Sequence, residues 1–486
     1  MRFSRFTKYA TFLLSLGLLG ACDSFLDVNQ NPNSVLVAPP ANTLVAAETH
    51  LGFLMGSDIH RYSSLFVQQF SGQGGSGIQT AEYDRYNVTA TDLNNAWRGN
   101  IYGGAQADLQ KLIEQTASTS PRYSGMAKIM QAFLFGVTTD AFGDIPYTDA
   151  LKFEQNLQPK YDKSEEVYTK LITLIDAGVA DLDKTSALIP AGDDLIYGGV
   201  IANWKKLANT LKLRLYIHYF PLKSSVVAAQ LATLAALPST NFISLNAENF
   251  QLTFEDAANK NNPIDQFEGR RPNQFFPSSA LVTLMTQKVD PRRAFFFTAF
   301  PVAGQYTGAG NGTGVNAVST AFSRMHVYLR GPLRGATTAY TGTAPVRMLT
   351  AAEYHLILAE YFVRTNDLAL ARTNFELGIR RSMEAAGVVT AADITAYIAG
   401  RPAFTAGNAL QQIIEEKFVA NYGVAVEPWT DWRRTGFPVL TPAANNVTGN
   451  LIPRILPYPD LERVANPANT PARANLTTPS VFWDLK

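Results

Sequence analysis

The 486 residues contain one cysteine, so no disulfide can close within the chain and no cysteine-rich zinc site can be built. Charge of one sign is equally scarce. Forty-one basic residues stand against 40 acidic ones, a net charge of +1. Such a balance offers no field to hold nucleic acid or an anionic membrane by charge alone, and no nucleic acid partner is expected. Histidines number five, at positions 50, 60, 218, 326 and 355. None shows the HxxxH or HxH spacing that suits a metal, and no metal or cofactor is expected. His50, His218 and His355 are expected in helices. No GxSxG elbow and no Walker sequence occurs, and the glycines at 308, 310, 312 and 314 in TGAGNGTG miss the GxGxxG phosphate pattern. Close carboxylates, Asp140 with Asp144 and Glu415 with Glu416, evoke a glycosidase pair. A sequence with this many acids supplies such neighbours by chance, so no catalytic residue is expected and the chain does not read as an enzyme. Past residue 21 no apolar run approaches the length needed to span a bilayer.

What the chain does have is core material: 46% hydrophobic against 17% charged residues, the balance of a globular protein and not of a disordered one. Its first 21 residues read as an address. Arg2, Arg5 and Lys8 form a basic start, and residues 9–21 are an apolar run closed by Gly20 and Ala21. As a helix that run reaches about 20 Å, short of the roughly 30 Å hydrocarbon core. The end of the run, Leu19-Gly20-Ala21-Cys22, resembles a bacterial lipobox, which implies cleavage before Cys22 and a lipid on its sulfur. Acyl chains contribute about 0.8 kcal/mol per buried methylene, so several make a lasting anchor. Residues 22–42 then read as a lipidated tether, because DVNQNPNSVLVAPPAN favours turns and extended chain.

The body is expected from residue 43 to 486, and its periodicity is helical. Leu44, Ala47, Leu51 and Leu54 recur at spacings of three or four. A second such series follows Ser164, a candidate N-cap before Glu165 and Glu166, with Val167, Leu171, Leu174, Ile175, Val179 and Leu182 on one face. A third runs Trp204, Leu207, Ala208, Leu211, Leu215, with Lys205, Lys206 and Lys212 outward. Residues 350–387 predict two helices. Thr365, Asn366 and Asp367 turn between them and Gly387 closes the second in the left-handed conformation. The small-residue spacing of this hairpin is that of tetratricopeptide units, although no clean 34-residue repeat runs along the chain. The expected fold is mainly α: a single large helical domain with tetratricopeptide-like pairs, long capping loops and little β.

Two long stretches, residues 71–104 and 238–346, are poor helix formers and rich in aromatics. Loops of this length in a compact body carry function or are disordered. Flat rings beside amide and guanidinium donors suit a sugar, which presents apolar faces ringed by hydroxyls. On composition alone the candidate ligand-binding residues are Tyr83, Tyr86 and Trp97 in the first stretch and Phe267, Arg270, Arg271, Phe276 and Tyr306 in the second. The competing expectation, residue by residue, is that these rings plug the loops onto the core. Gly72, Gly74, Gly75 and Gly77 would let the first loop adjust. In EPWTDWRRTG, Trp429 and Trp432 beside Arg433, Arg434, Glu427 and Asp431 predict a buried aromatic corner with ion pairs. In FGDIPYTDAL, Gly143 and Pro146 break a helix ending near Asp140, and Asp144 is placed to accept backbone N–H groups in the turn.

Several blocks taken in order resemble the SusD/RagB family: TTDAFGDIPYTDALKFEQNLQPKYDKSEEVY, DLIYGGVIANWKKLANTLKLRL, EEKFVANYGVAVEPWTDWRRTGFPVL, IPRILPYPDLERVANPAN and the terminal FWD. The opening CDSFLDVNQNPN is similar as well. The resemblance covers essentially the whole chain after the leader. It implies an outer-membrane, surface-exposed lipoprotein of a Bacteroidetes-type bacterium, with an α-helical tetratricopeptide-like fold. It further implies a partner, a SusC-like TonB-dependent transporter, to which a captured nutrient is delivered. The nutrient would be a glycan or oligosaccharide; a peptide-binding member of the family and an all-α glycoside hydrolase are the alternatives. The family's ligand contacts come from variable loops, so the resemblance assigns no binding residue.

Overall fold

The computed structural model describes residues 38–316, 321–388, 390–479 and 481–484. Cys22, the leader and most of the expected tether lie outside them. The first helix, α1 (Pro40–Met55), starts inside the stretch read as tether, with Pro40 at a position where its missing N–H costs nothing. Its apolar series is buried as expected: Leu44, Ala47, Leu51 and Leu54 all face the core. Helix α2 (Asp58–Phe66) follows and contains His60, which the periodicity had not placed in a helix. His60 is packed edge-on against Phe70 and Phe275, and burial, then the Arg61 charge, push its pKa down to about 3. It is a neutral core residue.

The stretch expected to be a loop, 71–104, is more ordered than its composition suggested. It holds a short strand β1 (Phe70–Gly72), the helix α3 (Gln79–Asp84) and a π-helical segment over Asn95–Gln106, whose wider turns break at Gly104. Helix α4 (Ala107–Thr116) leads to α5 (Pro121–Phe142), which is buried along nearly its whole length. The chain then turns at Gly143, φ +79°, into a two-residue ladder of β2 (Ile145–Pro146) with β3 (Tyr161–Asp162). Asp144, expected to accept N–H groups of its own turn, instead accepts that of Ser164, 20 positions on, at 2.9 Å. This replaces the predicted cap. Ser164 is the first residue of α6 (Ser164–Leu182) and makes no side-chain cap; its hydroxyl instead accepts the Phe482 N–H.

Helices α5 and α6 cross where two glycines meet. A Cβ on Gly125 would lie 2.7 Å from the carbonyl oxygen of Gly178, so no larger residue allows this approach. Next, α7 (Ile201–Ala235) carries the Trp204 series inward; Pro221 and a non-helical Lys223 break it into two parts. Lys206 and Lys212 do not simply point to water but pair with Glu248 and Asp176. Through β4 (Phe250–Leu252), α8 (Pro263–Arg270), β5 (Phe275–Pro277) and β6 (Val346–Leu349) the chain reaches the predicted hairpin, α9 (Ala351–Arg364) with α10 (Leu368–Ala386). Asn366 turns with φ +63°, Asp367 caps the Leu370 N–H at 2.9 Å, and Gly387 closes α10 at φ +102°. Again the pair crosses at a glycine, where a Cβ on Gly378 would meet Leu356 at 2.6 Å. Helices α11 (Ala409–Ala420) and α12 (Glu427–Thr435) complete the core.

The fold is mainly α. Among the described residues the strands pair only as three two-stranded antiparallel ladders, β1 with β5, β2 with β3 and β4 with β6. The first and third join segments some 200 and 100 residues apart in sequence, so they act as clasps that hold loops on a helical body. Among the described residues no single helix is long and apolar enough to cross a membrane.

Candidate functional site

The predicted corner in α12 is buried except for Trp432, which is partly exposed, and it is a charge network. Trp429 and Arg433 have no exposed surface, and the Arg433 guanidinium lies 3.8 Å from the Trp429 ring centre and 4.8 Å from that of Trp483. Lys417 of α11 donates to Glu427 at 2.7 Å and reaches Asp431 at 3.0 Å. Burial alone pulls the Lys417 pKa down, but Asp431, Glu427 and Glu353 outweigh it and push it up. Arg214 of α7 donates to both oxygens of Glu353, at 2.7 and 2.6 Å. Arg434 holds Glu360 at 2.5 Å and Asp431 at 2.7 Å. The carboxylates that evoked a glycosidase are occupied likewise: Asp140 accepts from Tyr168 and Trp483, Glu416 pairs with Arg292 inside the core, and Glu415 pairs with Lys288. Every one of these charges already has its partner in the protein. Among the described residues no group of three or more His, Cys, Asp or Glu is arranged to hold a metal.

The eight loop candidates divide. Tyr83 and Tyr86 are buried; the Tyr83 hydroxyl donates to Asp92 at 2.8 Å and that of Tyr86 accepts the Ala443 N–H at 2.9 Å. Trp97, in the π-helical segment, is buried among Tyr102, Phe142, Tyr161 and Tyr458. Phe276 sits in β5 with no exposed surface. These four rings have neighbours on their faces and edges, so they fasten loop to core, as the competing expectation had it. Tyr306 is half-buried under the Arg293 guanidinium.

Phe267, Arg270 and Arg271 are brought together. They line an open cavity of about 470 Å³ between α2, α3 and α8, with Phe53, Arg61, Gln79, Asp92 and Asn95 on its other walls. Arg61 lies 4.4 Å from the centre of the Phe267 ring and Arg271 lies 5.5 Å from it. Across the mouth, Arg271 donates to the Gln79 side-chain oxygen at 3.2 Å, which ties the second long stretch to the first. Arg61 pairs with Asp58, while its Nε is buried without a partner. Arg270 spends one N–H on Asn259. A guanidinium has five donors, so this cavity keeps a surplus of them around one aromatic ring. Gln79, Asn95 and Arg61 were missed by sequence reasoning, because a single polar residue on a short helix carries no signal until its neighbour across the fold is known.

One carboxyl under this cavity is unusual. Glu268, on the buried side of α8, meets Arg324 at 3.0 Å through one oxygen while the other has no partner. Burial pushes its pKa up to about 7 against the pull of Arg330 and Arg324.

Residues 32–459 match the SusD-like family, described as "Starch-binding associating with outer membrane". Solved structures share the fold. A chitin-binding protein superposes with a TM-score of 0.78 at 24% identity, covering 92% of this chain and 100% of its own. A chitin-binding SusD homolog from Flavobacterium johnsoniae gives 0.76 at 20% identity over 92% and 98% of the two chains. A SusD/RagB family protein from Bacteroides thetaiotaomicron gives 0.76 at 23% over 92% and 99%. At these identities the likeness is one of fold. No curated protein matches the sequence.

Proposed function

The chain belongs to the SusD-like family of SusD/RagB proteins, whose description associates it with the outer membrane, and from that premise we propose that it is a lipid-anchored surface protein that captures a glycan for import. In this reading residues 1–21 are removed, Cys22 carries the lipid, residues 22–42 tether the body, and residues 43–486 bind. A SusC-like TonB-dependent transporter receives the ligand. Binding without chemistry is the mechanism, in keeping with carboxylates that are already spent on internal ion pairs. The site is the cavity at Phe267, Arg270 and Arg271.

The observation that carries the placement is the meeting of both aromatic stretches at one opening, where a single ring is flanked by guanidiniums with donors to spare. A sugar buries its apolar face on such a ring while its hydroxyls accept from the surrounding N–H groups. Tyr306 lies outside this cavity and would contribute only to a longer ligand.

The test is a glycan and peptide array on the Cys22→Ala protein, repeated with Phe267→Ala and Arg271→Ala. Glycan binding that both replacements weaken supports the reading; undiminished binding moves the site elsewhere, and a response to peptides alone replaces the ligand class. Membrane partitioning of the Cys22→Ala protein tests the anchor, since the variant is expected in the soluble fraction. Copurification of a barrel protein in mild detergent tests the transporter.

A further inference from the structure

A second, larger cavity lies on the helical body, away from both long aromatic stretches. Its volume is about 780 Å³, within the roughly 300–1,000 Å³ of small-molecule sites. It opens between α4, α5 and α6 under the loop that follows β2, and it shares no residue with the Phe267 cavity. This loop starts in the FGDIPYTDAL block, from which the sequence predicted only a helix break and a turn.

Three features make the cavity a built site. The first is a ring held out to solvent. Phe153 keeps 40% of its surface exposed, and both it and Leu151 have left-handed backbones, φ +49° and +59°. Non-glycine residues hold that conformation only where the surroundings over-determine it. Within this loop the Asn156 N–H donates to the Phe153 carbonyl, and the start of the loop is fastened by Asp162 of β3. One of its oxygens accepts the N–H groups of Tyr147 and Thr148 at 3.1 and 2.8 Å, and the other accepts the Thr148 hydroxyl and the Lys170 ammonium, each at 2.5 Å.

The second feature is a second ring. Tyr147 is half-buried, edge-on to Phe135 with centroids 4.8 Å apart, and lines the same opening. The third is a polar floor. Gln131 of α5 is 4% exposed; its amide N–H donates to Gln110 at 3.3 Å, and Gln110 donates in turn to Glu114 at 2.8 Å. Among the described residues the Gln131 side-chain oxygen accepts no bond from the protein. That oxygen is not sealed from solvent, so it is an acceptor that a ligand in the cavity can reach.

We infer that this cavity is a second carbohydrate site, taking a neutral oligosaccharide against Phe153 and Tyr147 with a hydroxyl donating to Gln131. The charges at the rim are mixed, Lys152 and Lys170 against Glu114, which selects neither an anionic nor a cationic ligand. Amides at the floor disfavour a purely apolar one. For the class of ligand the inference rests on the glycan reading above, but its residues are separate.

The full chain, in a detergent without a sugar headgroup, is titrated calorimetrically with chitohexaose and with maltoheptaose. About two equivalents are expected for the probe that binds, and Phe153→Ala is expected to weaken one of them at least tenfold while leaving the other. Thr173→Trp, on an exposed position of α6 at the cavity wall, blocks the space without touching the Gln131 relay and is expected to do the same. Phe267→Ala is expected to weaken the other equivalent roughly five- to thirtyfold. A single equivalent that ignores Phe153→Ala and Thr173→Trp overturns the second site and leaves the first. A single equivalent that responds to them and ignores Phe267→Ala keeps the second site and overturns the first. No binding of either probe overturns both.

Discussion

Two parts of this molecule are rich in arginine, aromatic rings and carboxylates, and they use them in opposite ways. In the corner formed by α7, α9, α11 and α12, Lys417, Arg214 and Arg434 are buried and each meets two or more carboxylates. In the cavity at Phe267, the guanidiniums of Arg270 and Arg271 are exposed, each with one side-chain acceptor. The difference is one of saturation. Charge whose donors are all matched internally fixes the position of helices; charge with donors left over is available to something from outside. A buried ion pair is weak evidence of net stability, yet removing one partner strands the other in a medium that cannot solvate it.

That contrast sets the order of expected effects. Glu427→Ala takes one carboxylate from Lys417 and Arg214, which keep Asp431 and Glu353, and is expected to cost about 3 kcal/mol, read as a shift of the urea midpoint at constant slope. Next comes pH. Burial raises the Glu360 pKa, but Arg434 and Arg364 outweigh it and hold it at about 2. A carboxyl depressed in the folded state contributes stability above its unfolded value, near 4.3, and loses it as pH falls toward 2. Urea unfolding is therefore expected to show a steep loss of stability over that window, flattened in Glu360→Gln once the variant's own destabilisation is subtracted. Stability that stays level from pH 5 to pH 2.5 would show that the corner's pairing is not what holds it.

The cavity is expected to respond in binding as well as in stability. Phe267→Ala, whose ring is partly buried against Phe275 and Arg61, is expected to cost about 1–2 kcal/mol of stability, less than the corner variant, and to weaken glycan binding by about 1–2 kcal/mol, roughly five- to thirtyfold. A variant that unfolds and binds like the parent protein would erase the distinction between the two regions. The opposite pH dependence is expected at Glu268. Its pKa, raised to about 7, means that the folded state keeps a proton the unfolded chain has lost, so stability falls as pH rises from about 4.3 through 7. Glu268→Gln is expected to remove that slope, measured by hydrogen exchange of α8 across the same range.

How much of this was legible depended on how local the cause was. The α9–α10 hairpin was readable to the residue, because Asn366, Asp367 and Gly387 set its turn and caps from within a few positions. The corner at Trp429 was readable as buried, since two tryptophans and two arginines within six residues bring large apolar rings that need cover and guanidiniums that need carboxylates, and Glu427 and Asp431 stand beside them. The aromatic stretches were not readable residue by residue. Trp97 is buried because Phe142, Tyr161 and Tyr458 come to it from distant parts of the chain. Likewise the cavity exists because Arg271 meets Gln79, a pairing across 192 positions. Composition identified ring-rich loops; only the clasps β1–β5 and β4–β6 decide which rings face inward.

The indole of Trp483 donates to Asp140, 343 positions earlier, and Asp484 binds Arg454 with its guanidinium Nε at 2.8 Å. The core therefore lacks one wall until residues 483 and 484 have been made. Closing so long a loop is entropically late, and a chain dominated by such closures folds slowly. In the proposed reading of residues 1–21 as a secretory leader, this delay keeps the residues before Trp483 a thread that a translocation pore can still pass.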